Sequence, residues 1–64
     1  MDDFEFYQVI NGRKVYRSGS LLYTWDELHG EIEVFNKRGK HVAVLDGITG
    51  KQIKPAVKGR RLNV

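Results

Sequence analysis

Tyr23-Thr-Trp-Asp-Glu-Leu-His-Gly-Glu-Ile-Glu-Val-Phe35 sets one histidine and four carboxylates between aromatic ends. From Gly30 onward polar and apolar side chains alternate with period two, as in a half-buried β-strand. In such a strand Ile32 and Val34 (or Phe35) are expected to face an interior, while Glu31 and Glu33 point the other way together with His29. An imidazole and carboxylates on one open face combine a group titrating near neutrality with acidic ones, which is what proton transfer between oxygens requires. Asp26, His29, Glu31 and Glu33 are therefore the candidate chemical centre.

Towards the N-terminus, Phe4-Glu-Phe-Tyr-Gln-Val-Ile10 is rich in β-formers, and Asn11-Gly12 supplies the positive-φ pair of a type I′ turn. Arg13 to Tyr16 is then the returning strand of a hairpin. Ser18-Gly19-Ser20 interrupts the pattern before Leu21 to Trp25 resumes it. Towards the C-terminus, a strand at about Glu31 to Asn36 turns at Lys37-Arg38-Gly39-Lys40 into His41-Val-Ala-Val-Leu45. Asp46-Gly47 and Thr49-Gly50 bracket another turn before a short strand near Gln52 to Lys54. Pro55 has no N–H to give a ladder and ends the pairing, leaving Ala56 to Val64 as an extended or loop segment. No helix-period stretch and no repeat is present. The expectation is an all-β domain, residues 1–64, built as a small, highly twisted antiparallel sheet of five to six short strands.

A chain of 64 residues buries only about 60% of its unfolded surface, so its core is small. The absence of cysteine excludes disulfides and thiolate zinc sites. With no long apolar run and no apolar core after Met1, the expectation is a soluble chain that binds no membrane and carries no export signal of its own. The net charge of +3 is unevenly divided. Residues 1–33 hold three basic against seven acidic side chains, whereas residues 34–64 hold eight basic ones against Asp46 alone. A basic half beside an acidic strand suits a polyanion that is held by one and worked on by the other.

The central stretch resembles the cytotoxic ribonuclease domain of the ribosome-inactivating colicins, the colicin E-three and cloacin type, whose pattern Tyr-x-Trp-Asp-x-x-His-Gly-Glu-x-Glu falls on Tyr23, Trp25, Asp26, His29, Gly30, Glu31 and Glu33. The similarity continues through Arg38-Gly39-Lys40-His41, Asp46, Thr49-Gly50, Gln52, Lys54 and Arg60, and spans roughly Leu22 to Leu62. The first 20 or so residues match poorly: where the family carries a helix and a basic, glycine-rich linker, this chain has Asp2, Asp3 and Glu5 followed by a hairpin.

The resemblance implies cleavage of small-subunit (16S) ribosomal RNA at the decoding site, with His29 as the catalytic histidine and Arg60 stabilising the phosphorane. Arg61 is the alternative to Arg60. Glu33 is the expected general base towards a ribose 2′-hydroxyl, and an ideal strand sets its Cα about 13 Å from that of His29 unless Gly30 makes a shortening bulge. Asp26 is expected to orient the imidazole or to cap a turn, and Glu31 to play a supporting part. Lys54, Lys58 and Arg61 are candidate phosphate contacts, and Tyr23, Trp25 and Phe35 candidate stacking platforms or core. His41 has no acid nearby in sequence and reads as an ordinary histidine. No cofactor and no metal is called for. The implied partners are the ribosome as substrate and an acidic immunity protein as inhibitor, with the toxin delivered from its producer and acting in the cytoplasm of a target bacterium. Two alternatives are a non-catalytic nucleic-acid-binding β-module and a metal-dependent nuclease using Asp26, His29 and Glu33 as ligands.

Overall fold

The computed structural model describes residues 4–64, so Asp2 and Asp3 lie outside it. Its six strands are β1 (Glu5–Ile10), β2 (Arg13–Ser18), β3 (Leu21–Asp26), β4 (Glu31–Asn36), β5 (His41–Asp46) and β6 (Gln52–Pro55). Each pairs antiparallel with the next, in the order β1-β2-β3-β4-β5-β6, giving one open meander sheet with no helix among the described residues. The expected all-β class is what forms. Asn11 and Gly12, with φ of 53° and 77°, make the tight turn between β1 and β2.

A flat sheet would be a single layer roughly 10 Å deep with its side chains, but the least dimension of this molecule is 22 Å. The sheet is therefore strongly coiled. Register shifts at Phe6/Gln8, Val34/Phe35 and Val44/Leu45 mark irregularities in three of its five ladders, the kind of bulge that adds local twist. Pairing fixes which side chains share a face, because cross-strand partners lie on the same side. One row runs Val15, Thr24, Glu33, Val44 and Lys54, and a parallel row two residues along runs Asp26, Glu31 and Asp46.

The principal core occupies this same face. Ile10, Val15, Leu22, Phe35 and Leu62 form one buried cluster, so Glu33 and Phe35 point to the same side. The expected separation, with the carboxylates turned away from the interior, gives way to a concave face that is apolar at one end and charged at the other. The opposite face buries Val34 and Ala43 and leaves an open groove of about 220 Å³ lined largely by Phe4, Tyr16, Tyr23, Trp25 and Ile32.

The C-terminal segment is more ordered than its sequence suggests. Lys40 and Arg61 form an antiparallel bridge, the Leu62 N–H donates to the Gly39 carbonyl at 2.7 Å, and the His41 N–H donates to the Arg60 carbonyl at 3.2 Å. Leu62 then plugs the concave face, and the segment before it is held over the charged end.

Candidate active site

Asp26 ends β3, and residues 27–30 form the turn into β4. The Asp26 carboxylate shapes that turn by accepting the His29 backbone N–H at 3.3 Å through Oδ1, while Gly30 closes it with φ of 64°. His29 thus stands on a turn rather than in a strand. The reason is register: Asp26 pairs directly with Glu31, so the residues between them have no partner strand. Gly30 serves the turn and makes no bulge. The same carboxylate meets the imidazole, Asp26 Oδ2 lying 2.8 Å from His29 Nδ1. Capping and orienting are one arrangement. The imidazole's hydrogen bond holds the Asp26 carboxyl below its ordinary value and, with Nδ1 occupied, leaves Nε2 as the outward-facing nitrogen.

Glu33 sits in the middle of β4, 8% exposed. Its Oε2 accepts Arg13 Nη1 at 2.8 Å and its Oε1 accepts Arg60 Nη1 at 2.5 Å. Glu31, two residues earlier, holds Lys54 Nζ at 3.2 Å. These groups open onto one pocket of about 440 Å³, lined by Arg13, Asp26, His29, Glu31, Glu33, Val44, Lys54, Val57 and Arg60. Three carboxylates, one imidazole and three fixed cations share it.

Arg60 reaches this pocket because the tail folds back, whereas Arg61 turns away to donate to the Arg38 carbonyl at 3.4 Å. Lys58 is exposed on the turn before Arg60. Tyr23 and Trp25 alternate with Thr24 and Asp26 and so lie on the other face of β3. Tyr23 packs against Phe4 with ring centroids 4.7 Å apart. Trp25 is 46% exposed and lines a second cleft, about 490 Å³, with Arg13, Lys14, Tyr16 and Asp26. Phe35 is core.

Two residues emerge only from the fold. Arg13 lies 20 residues from Glu33 in sequence, and the signal for it is its place on β2, two residues from Val15 in the row that carries Glu33. His41 is 2% exposed, and its Nε2 lies 3.6 Å from Glu33 Oε1. Burial lowers the pKa of its imidazole, with Glu33's charge opposing and Arg60's adding, which favours the neutral ring. Among the described residues, Asp26, His29 and Glu31 form a cluster able to offer three ligands to a metal ion, their donor atoms lying within 4.8 Å of one another; it takes in Glu31 where the metal-nuclease alternative named Glu33.

Residues 11–63 match the sequence model of the Cytotoxic family. The chain belongs to that family, the colicin E-three type cytotoxic ribonuclease domains. Neither the curated proteins nor the solved structures yield a match to it. The cytotoxic-domain match begins at residue 11, well before Leu22, and so takes in β2 and Arg13. Membership makes this chain a toxin nuclease domain, and the pocket is the place in the cytotoxic domain where an imidazole, carboxylates and guanidinium groups converge.

Proposed function

We propose that the domain is a ribosome-inactivating endoribonuclease that cuts 16S ribosomal RNA at the decoding site by transesterification, without a metal ion. The observation that carries this reading is Glu33 held between Arg13 and Arg60 in the pocket that His29 and Asp26 border. A phosphodiester entering the pocket competes with Glu33 for the two guanidinium groups, which suit its geometry. As they turn to the phosphate, a Glu33 oxygen is released to the 2′-hydroxyl. Glu33 takes the hydroxyl proton, the 2′-oxygen bonds to phosphorus, and Arg13, Arg60 and Lys54 bear the phosphorane charge. The bond from phosphorus to the 5′-oxygen then breaks, and that oxygen leaves with a proton from His29 Nε2, the resulting imidazole being kept in place by Asp26. The products are a 2′,3′-cyclic phosphate and a 5′-hydroxyl.

Lys58 and Arg61 extend the basic surface along the RNA backbone, and Trp25 in the cleft beside Arg13 offers a face for an unpaired base. The same surface suits an acidic immunity protein that protects a producing cell, the domain being delivered to the cytoplasm of a target bacterium. A second reading has one observation in its favour: Asp26, His29 and Glu31 are grouped closely enough to ligate a divalent ion, as in a metal-dependent nuclease. Incubation with intact ribosomes, followed by mapping of the RNA ends, tests the proposal. A single cut in the small-subunit RNA at the decoding site supports it, and intact RNA or scattered cuts overturn it.

A further inference from the structure

The His41 imidazole makes one hydrogen bond, and the atom that makes it fixes the tautomer. The Val57 backbone N–H donates to Nδ1 at 2.8 Å, so in the neutral ring Nδ1 is the acceptor and the proton sits on Nε2. That Nε2–H is fully buried and finds no hydrogen-bond partner among the described residues. Buried donors are seldom left unpaired without a reason. Its nitrogen lies 3.6 Å from Glu33 Oε1, just beyond hydrogen-bond reach, while Arg60 occupies that oxygen at 2.5 Å. The ring itself cannot drift, because Phe35 packs edge-on against it with centroids 5.2 Å apart.

We propose that His41 is a positioning residue for Glu33: a neutral imidazole, anchored to the C-terminal segment through Val57, whose Nε2–H takes over Oε1 when Arg60 leaves it for the substrate's phosphate. Without such a donor, the departure of both arginines would free the Glu33 carboxylate to swing about its side-chain torsions. With it, one oxygen is held and the other is presented to the 2′-hydroxyl. The residue also ties base and arginine together, since the segment that places Arg60 hydrogen-bonds to the ring that places Glu33. This rests on the reading of Glu33 as the general base.

Two substitutions divide the ring's functions. His41→Asn keeps an acceptor where Nδ1 stands and removes the donor towards Glu33; His41→Gln keeps an N–H near Nε2 and gives up the anchor to Val57. With both variants folded by circular dichroism, His41→Asn lowers kcat about 10–100-fold, the usual effect of losing such an orienting partner, with KM nearly unchanged, and His41→Gln restores most of it. The acidic limb of the pH–rate profile also moves upward in His41→Asn, because the carboxylate form has lost a donor. Arg13 from β2, Arg60 from the tail, Lys54 from β6 and the Asp26–His29 pair from the β3–β4 turn face the same pocket, are present in both variants, and cancel in the comparison. Equal loss in the two variants, or an unmoved limb, overturns the proposal.

A measurement on the unmutated chain is independent of any activity. Long-range ¹H–¹⁵N correlation should show His41 as the Nε2–H tautomer, with that resonance following the Glu33 carboxyl ¹³C signal as acid is added. The Nδ1–H tautomer, or an Nε2–H indifferent to Glu33, contradicts the proposal even in a chain that cleaves RNA. The expected spectra from a chain that cleaves no RNA would locate the failure in the ribonuclease reading, on which the positioning role rests, and not in the His41–Glu33 contact.

Discussion

Glu33 accepts from two arginines at once, and His29 leans on Asp26 from an exposed turn, so removing each has a different structural consequence. His29→Ala should lower ribosome cleavage by about two to four orders of magnitude, the usual worth of a positioned proton-transfer group, and leave the melting temperature almost unchanged, since the imidazole packs against no core. Glu33→Gln should cost a similar factor in rate and also alter stability, because Arg13 and Arg60 lose a charged partner inside a partly buried row. Arg60→Ala should impair turnover more than RNA binding, and Arg61→Ala should do the reverse. Rates near wild type for both His29→Ala and Glu33→Gln would remove the assignment. Buried histidine adds a pH signature. His41's folded pKa lies below its ordinary 6.5, so the unfolded chain binds the extra proton first; the contribution is intact above about pH 6.5 and is lost as pH falls from there towards the folded value. Asp26 and Asp46 act lower, since hydrogen bonds from the His29 side chain and from the Ile48 and Thr49 amides lower their values. Their contribution is present above the ordinary carboxyl value of 3.8 and disappears through the depressed ones. Urea unfolding at pH 7.5 and 5.5 should therefore show a loss of stability that shrinks in His41→Gln; an identical loss would mean that another group titrates there.

At the level of elements, the turns and strands were legible and the tail was not. Asn11-Gly12 can make one kind of turn economically, and the alternation in Glu31 to Phe35 can make one kind of strand, so local chemistry decides both. Which face of β4 is interior depends on what covers it, and that is settled by Leu62, 27 residues from Phe35 in the sequence. Nothing local marks Leu62 as core. Arg13 and His41 were hidden for the same reason: each meets Glu33 only through pairing between strands. The placement of His29 on a turn follows from the Asp26 and Glu31 register, which the spacing of polar and apolar residues leaves undetermined. The tail's attachment yields its own test. A Cβ at Gly39 would stand 2.0 Å from the Leu62 carbonyl oxygen, and its φ is 86°, so Gly39→Ala should lift the tail, cost about 1–3 kcal/mol, and reduce turnover through Arg60. Leu62→Ala should act the same way, by about 2–3 kcal/mol at the low end of core truncations. If either variant loses stability while cleaving at the wild-type rate, Arg60 does not depend on the tail's docking.

Over the whole molecule, the open meander puts one charge sign largely in each half of the chain and then coils so that the two meet. Glu31 and Glu33 of the acidic half face Lys54 and Arg60 of the basic half, and the pocket lies along that seam. The remaining cations of residues 34–64 are on the surface, where they would release counterions if RNA binds there. Affinity for RNA or ribosomes should consequently fall steeply with salt, and replacing Lys54, Lys58, Arg60 and Arg61 by neutral residues should flatten the dependence; a slope unchanged by the fourfold variant would place the RNA elsewhere. Charge alone would serve a binding module equally well, so a catalyst is separated from a binder by its use of the neighbouring 2′-oxygen. End-group analysis of RNA cut by the purified domain measures this directly, with intact ribosomes as substrate and with a short decoding-site RNA in the presence and absence of EDTA. Metal-free attack by the 2′-oxygen should leave a 2′,3′-cyclic phosphate and a 5′-hydroxyl, give no cleavage where the 2′-hydroxyl at the cut site is replaced by hydrogen, and be unaffected by chelation on the short RNA. Products bearing 5′-phosphates, or activity on the short RNA that disappears with EDTA, would contradict it.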